Sequence, residues 1–162
     1  MSKLPDSTEV LVIGGGIVGC SIAYHLTKLG IKDVVLLEQN QLTAGTTWHA
    51  AGLVGQLRAT ANLTHLARYT TELFAGLEVE TGQATGYRRT GSLSLALNTE
   101  RLEELNRQAS TARAFGIEVE QISAADASTH WPDVNIEDVC GAVYLPGDGQ
   151  TNPVDTTQAL AA

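Results

Sequence analysis

Gly14, Gly16 and Gly19 stand at the spacing Gly-x-Gly-x-x-Gly, directly after the apolar run Val10-Leu11-Val12-Ile13. Glu38 closes a second apolar run, Val34-Val35-Leu36-Leu37, about 20 residues beyond the last of these glycines. The chemistry this pattern serves is the binding of a dinucleotide. Gly14 permits a tight turn, Gly16 lets a pyrophosphate approach the backbone, and Gly19 lets a helix pack closely on the strand. The helix that begins with Ile17 and Val18 aims its unpaired N–H groups and positive dipole end at the phosphates. Glu38 accepts hydrogen bonds from ribose hydroxyls. A glycine triplet alone is a weak signal, but strand, turn, helix and acid in this order form a specific unit.

A second constellation follows at once: Leu42-Thr43-Ala44-Gly45-Thr46-Thr47-Trp48-His49-Ala50-Ala51-Gly52-Leu53. Its small residues and hydroxyls suit a backbone that passes close to a ligand, beyond the pyrophosphate. Taken one by one these are loop residues, and His49 alone reads as a structural histidine. Arg58 carries a charge suited to a carboxylate, though a solvated arginine is the commoner case. His25 reads as a surface or packing residue, and His65 and His130 lack any paired carboxylate. Cys20 and Cys140 are the only cysteines and neither lies in a Cys-x-x-Cys, so neither a disulfide framework nor a metal site is expected. Cys20 is expected to pack as a small hydrophobe. No Ser/His/Asp or Cys/His set is readable, and no catalytic residue is assigned.

The elements that must position these residues follow from periodicity. Glu9 to Ile13 and Val34 to Leu37 read as buried parallel strands. Between them Ile17, Val18, Ile22, Leu26 and Leu29 recur at helical spacing, with Gly30 as the stop. This βαβ opening predicts a parallel sheet. Gln39 to Arg58 reads as irregular. Leu63 to Leu77 marks a second helix ending near Gly82, and Ser92 to Leu97 a strand. Leu102 to Phe115 marks a third helix, capped by Asn98 or Thr99 and stopped by Gly116. Ile117 to Ile122 reads as a strand, Ser123 to Asp126 as a capping box before a short helix, and Val139 to Leu145 as a strand. Pro146 to Gly149 is a turn, and Pro153 opens a last helix.

The chain has 162 residues and a net charge of −8, with no Lys/Arg block, which argues against a nucleic-acid surface. Val10 to Leu26 is interrupted by Gly14, Gly15, Gly16, Gly19 and His25, so no membrane span is expected. Met1 to Asp6 shows neither a signal nor a transit pattern, and a reducing, cytoplasmic compartment is expected. A dinucleotide-binding sheet needs at least a third parallel strand, and the helix after Pro153 stops early. The chain therefore reads as the N-terminal piece of a longer protein.

The order Gly-Gly-Gly-Ile-Val-Gly, Leu-Leu-Glu, then Thr-Ala-Gly-Thr-Thr-Trp-His-Ala-Ala-Gly-Leu resembles the FAD-dependent sarcosine and dimethylglycine dehydrogenases, within the D-amino acid oxidase-like group. The likeness continues through Glu80-Thr81-Gly82, Gly91-Ser92-Leu93, Pro146-Gly147-Asp148-Gly149 and Pro153. It implies FAD as cofactor. The family's covalent flavin attachment maps onto His49, where a neutral imidazole nitrogen attacks the electrophilic 8α carbon. By the same matching, Gly14, Gly16, Ile17, Val18, Gly19, Glu38, Gln39, Gly45, Thr46, Thr47, Trp48, His49, Ala50, Ala51, Gly52 and Leu53 line the cofactor. Leu53 to Arg58 is closer to the sarcosine branch, which tends to carry Trp where this chain has Gly55.

The resemblance implies an α/β fold: a Rossmann-like FAD-binding half followed by the start of a mixed β substrate domain. About 1–60 is expected to hold the βαβ unit and flavin loop, about 61–150 the helices and strands leading into the substrate domain, and 151–162 a truncated helix. The implied reaction is oxidative N-demethylation of a small amine such as sarcosine or dimethylglycine, acting on a CH–NH bond. The iminium product is hydrolysed to formaldehyde, or its one-carbon unit passes to tetrahydrofolate in a C-terminal domain absent here. Electrons pass to an electron-transfer flavoprotein or to oxygen. The chain alone is expected to show no turnover. Two alternatives stand beside this reading: a glycine oxidase-like enzyme with non-covalent FAD, and a non-catalytic nucleotide-binding module.

Overall fold

The computed structural model describes residues 5–162, so residues 1–4, part of the N-terminus read for targeting signals, lie outside it. The chain forms two compact units that interleave along the sequence. The first runs up to Gly52 and adds Phe74–Tyr87 and Thr151–Ala162; the second comprises Leu53–Leu73 and Arg88–Gln150.

The first unit opens with β1 (Val10–Ile13), α1 (Ile17–Lys28) and β2 (Val34–Leu37). β1 and β2 pair in parallel, Val10 opposite Val34 through Ile13 opposite Leu37, as the two apolar runs predict. α1 ends where glycine can leave the helix. Gly30 has φ +98°, its N–H bonds to the Thr27 carbonyl, and the Ile31 N–H reaches back to the Leu26 carbonyl at 3.1 Å. That pair of bonds absorbs two of the carbonyls a helix end leaves unpaired. α5 (Pro153–Ala161) starts on Asn152, whose Oδ1 accepts the N–H groups of Val154 and Asp155 at 3.0 and 3.2 Å, with proline at the first helical position. α1 packs against α5, and Cys20, Leu77, Ala159 and Leu160 are buried in this unit. Cys20 is thus a packing residue, and burial followed by the negative charge of Glu38 pushes its thiol pKa up. On the surface Tyr24 Oη donates to Glu80 and accepts from Lys28 Nζ at 2.7 Å; this bond, with the Glu80 carboxylate beside it, pushes the Lys28 pKa up to about 12.

A 3-10 turn (Thr46–His49) and a two-residue strand, β3 (Leu53–Val54), interrupt the stretch that reads as irregular. α2 (Ala61–Thr81) follows, and the boundary between the two units falls within it.

The second unit holds β4 (Ser92–Ala96), α3 (Thr99–Ala114), β5 (Glu120–Ile122), α4 (Ala124–His130), β6 (Gly141–Leu145) and β7 (Gly149–Gln150). Its sheet has the order β4-β6-β5, antiparallel throughout, and β3 pairs with β7 antiparallel. Among the described residues the parallel pairing is that of β1 with β2. Leu105, Ala109 and Ala112 of α3 pack with Ala96, Val143, Leu145, Ile117 and Val119 into one apolar core. Asn98 caps α3 by accepting the Arg101 N–H at 2.8 Å, and Ser123 with Asp126 forms the predicted capping box. The strand expected from Ile117 begins only at Glu120, because the Ile117 N–H is taken by the Ala112 carbonyl at the end of α3. The strand expected from Val139 begins at Gly141, because the Val139 N–H closes a turn onto Ile136.

No helix among the described residues is long and apolar enough to cross a membrane.

Candidate functional site

The turn after β1 is shaped by what a side chain would strike. Gly14 has φ +111°, a backbone that L side chains rarely adopt, and its N–H continues the strand ladder to the Leu37 carbonyl at 2.7 Å. A Cβ on Gly19 would collide with the Gly14 carbonyl, so α1 can close onto the turn only there. A Cβ on Gly16 would stand 3.1 Å from Thr47 Oγ1. At Gly15, which the fingerprint spacing leaves free, the constraint comes from side chains: a Cβ would come within 2.6 Å of Leu42 Cδ2 and 3.0 Å of Glu38 Cβ.

Glu38 is half-buried at the end of β2. Its Oε2 accepts the Gly15 N–H at 2.7 Å and its Oε1 the Asn40 N–H at 3.0 Å. These N–H groups, Gly15 first, hold the carboxyl below the ordinary glutamate range, so it stays charged where a ribose hydroxyl would meet it. The loop beyond is tied back to the same turn twice. The Thr43 N–H donates to the Gly15 carbonyl at 2.9 Å, and the Ile17 N–H donates to Thr47 Oγ1 at 3.0 Å. Thr43 has φ +71°, a left-handed backbone that costs a β-branched residue roughly 1–3 kcal/mol and persists only where its surroundings enforce it.

These elements enclose an open cleft of about 680 Å³, within the range of ligand sites. Gly14, Gly16, Ile17, Val18 and Gly19 form one wall, and Glu38, Gln39, Gly45, Thr46, Thr47 and Ala50 another. Trp48, His49, Ala51 and Gly52, placed at the cofactor by sequence, are not among its lining residues. Trp48 and His49 stand exposed with ring centroids 4.0 Å apart, and His49 Nδ1 lies 3.2 Å from the Gly45 carbonyl. Gly52 instead faces Thr151: its carbonyl accepts the Thr151 N–H at 2.8 Å, and a Cβ would collide with the Thr151 oxygen. Leu53 belongs to β3 in the second unit.

Sequence reasoning missed Val12, Ile13, Ile22 and Asn40, which also line the cleft, as does Ala44 of the second constellation. Val18, placed at the cofactor by sequence, is 70% exposed here; Ile22, read only as part of the helical spacing, is 46% exposed, and Ile13 is 81% exposed. The i, i+4 spacing that signals a core face equally signals an apolar wall, and the glycine turn beside it was the available sign.

In the second unit Arg58 is exposed, and its Nη1 donates to the neighbouring Leu57 carbonyl at 2.8 Å. It borders a separate open cleft of about 600 Å³ with Glu104 and Arg107, which pair with each other. His25 Nδ1 lies 2.6 Å from the Ser21 carbonyl, and His130 stacks on Tyr144 at 4.0 Å.

A bare glycine turn between a parallel strand and a helix, with a charged acid at the end of the next strand, defines a dinucleotide-binding module. The residues present suit the adenosine and diphosphate portion of FAD: side-chain-free backbone at Gly14 and Gly16 on the cleft wall, a helix N-terminus, and the Glu38 carboxylate. The chain belongs to the FAD dependent oxidoreductase family, whose signature matches residues 9–162. It is 43% identical over 159 residues to "Sarcosine dehydrogenase, mitochondrial" of Homo sapiens, covering 98% of this chain and 17% of that protein. It is 43% identical over 159 residues to "Pyruvate dehydrogenase phosphatase regulatory subunit, mitochondrial" of Mus musculus, covering 98% of this chain and 18% of that protein. Among solved structures, L-proline dehydrogenase from P. horikoshii superposes with a TM-score of 0.90 at 29% identity, over 98% of this chain and 41% of that one. The chain thus spans under a fifth of the length of these two curated relatives.

Proposed function

We propose that the complete protein is an FAD-dependent amine dehydrogenase or oxidase that demethylates a small N-methyl amino acid such as sarcosine or dimethylglycine, with the flavin attached through His49. The observation that carries this reading is the cleft walled by the glycine turn, Glu38 and residues Gly45, Thr46, Thr47 and Ala50, in a chain 43% identical to a sarcosine dehydrogenase. FAD, when bound, supplies the acceptor for the hydride leaving the N-methyl carbon.

This chain's residues have separate tasks. Gly14 and Gly16 leave backbone bare for the diphosphate, and Glu38 accepts from the ribose. His49 has its Nδ1 3.2 Å from the Gly45 carbonyl, which leaves Nε2 as the ring nitrogen available to a flavin. A neutral imidazole with a free Nε2 is the form a covalent link requires. Electrons then leave to an electron-transfer flavoprotein or to oxygen.

Acid denaturation of the complete gene product tests the reading. Flavin that stays with the precipitated protein and maps to the His49 peptide supports it, as does loss of that flavin in His49→Ala. Flavin released intact into the acid supernatant would favour the glycine oxidase-like alternative. A second reading has its own observation: the equally similar relative named as a phosphatase regulatory subunit. Turnover of sarcosine or dimethylglycine with an artificial electron acceptor separates the two, since a regulatory module gives none. The 162-residue chain alone is expected to give none in either case.

A further inference from the structure

Thr47 is buried, and its Oγ1 accepts the N–H of Ile17 at 3.0 Å. That N–H is one of the donors a helix start leaves without a backbone partner. Gly16, the residue before α1, makes no side-chain cap, so Thr47 fills the role from another segment. The Thr47 carbonyl accepts the Ala50 N–H at 3.1 Å and closes the 3-10 turn, while His49 Nδ1 is held on the Gly45 carbonyl. The ring is therefore fixed to the turn by Gly45, and the turn is fixed to α1 by Thr47. The other hydrogen bond between this loop and the glycine turn, from Thr43 to Gly15, lies six residues before His49 in sequence.

We propose that Thr47 is a positioning residue for His49: by holding the Thr46–His49 turn against the first turn of α1, it sets where the imidazole stands for flavin attachment. The proposal rests on the reading of His49 given above. In the attachment a bond forms between His49 Nε2 and the flavin 8α carbon. One imidazole N–H and one 8α C–H are lost, as two protons and two electrons. Dioxygen takes them and becomes hydrogen peroxide, which restores the oxidised flavin. A misplacement of about 1 Å in such a reaction costs up to about 100-fold in rate.

The test uses the complete gene product, prepared without flavin and then given saturating FAD in air, with acid-stable flavin fluorescence followed over time. FAD affinity is measured separately by quenching of flavin fluorescence. Thr47→Val removes the acceptor. Ile17→Pro removes the donor at the first helical position, which tolerates proline. Thr47→Ser restores the hydroxyl. At saturating FAD both removing variants should attach it about tenfold or more slowly, a larger loss than any they show in FAD affinity, with Thr47→Ser within about twofold of the parent. Attachment at the parental rate in either removing variant overturns the proposal and leaves the His49 reading intact. Loss of FAD binding in both, in step with attachment, overturns it in favour of a purely structural role. Absence of acid-stable flavin in the parent overturns the His49 reading, and the proposal with it.

Discussion

Glu38 and Gly15 are joined by a 2.7 Å hydrogen bond from the Gly15 backbone N–H to the Glu38 carboxylate. The acid at the end of β2 and the glycine turn after β1 are therefore one hydrogen-bonded object before any ligand arrives. The contact also explains why Gly15 is glycine, since a side chain there would press on Glu38 and Leu42. Each carboxylate oxygen accepts more than one hydrogen bond, so the Gly15 and Asn40 N–H groups orient Glu38 without exhausting it.

The first prediction is an acid sensitivity centred on this pair. The Glu38 carboxyl lies below its ordinary value in the folded protein, chiefly through the Gly15 N–H. In the window between the folded and ordinary values the unfolded chain binds more protons than the folded one, so stability falls as pH falls. The contribution is complete above the ordinary carboxylate range and lost once pH drops through the folded value. Glu38→Gln presents one acceptor and one donor to two N–H groups and cannot titrate. Thermal melting from about pH 6 to about pH 3 should show the parent losing more Tm than Glu38→Gln, with the two curves converging in acid. Parallel curves would deny Glu38 this role.

Two glycines on helices should respond in opposite directions. Gly19→Ala places a methyl against the Gly14 carbonyl, so α1 must shift. A loss of about 1–3 kcal/mol and weaker FAD binding are expected. Gly76, exposed within α2, has open space around its missing Cβ and no unusual backbone. Gly76→Ala should stabilise by about 0.5–1 kcal/mol through helix propensity and leave FAD binding unchanged. Denaturant titration with FAD binding measured on both variants checks the pair. Equal effects on binding would mean that Gly19 holds no special contact.

Much of this arrangement was legible because local rules agreed with one another. Val10–Ile13 and Val34–Leu37 became parallel strands at the register their apolar runs allow, and Asn98, Ser123, Gly30 and Gly116 bound their helices as their types predict. What escaped depends on contacts distant in sequence. β3 and β7 are two residues each, too short for any periodicity to declare. Ile22 shares its helical spacing with Val18 and lines the same cleft, yet only Val18 was placed at the cofactor, since spacing reports a shared face and not what covers it. Thr47, placed at the cofactor by sequence, does line the cleft, but its bond to the Ile17 N–H spans 30 positions and has no local signature. Trp48 and His49 entered through resemblance, and their exposure outside the cleft lining is a fact of the turn that periodicity could not foresee.

Asp148 gives the last prediction, in the second unit. Its sequence setting, Pro-Gly-Asp-Gly, reads as a simple turn, yet its side chain is 6% exposed. Oδ1 accepts the Gln56 N–H at 2.8 Å and Oδ2 the Ser92 hydroxyl at 2.6 Å, while its own carbonyl accepts the Gly91 N–H at 2.8 Å. One residue thus joins the segment after β3, the start of β4 and the turn between β6 and β7. Asp148→Ala strands the Gln56 N–H in a half-buried place, at a cost of about 1–3 kcal/mol. Asp148→Asn keeps an oxygen for Gln56, and its amide can donate to the Ser92 oxygen, so it should lose less. Urea unfolding of the complete protein, followed by two probes, should rank the parent above Asp148→Asn and Asp148→Ala last. An alanine variant as stable as the parent would mean that water satisfies Gln56 and that Asp148 does not hold these three segments together.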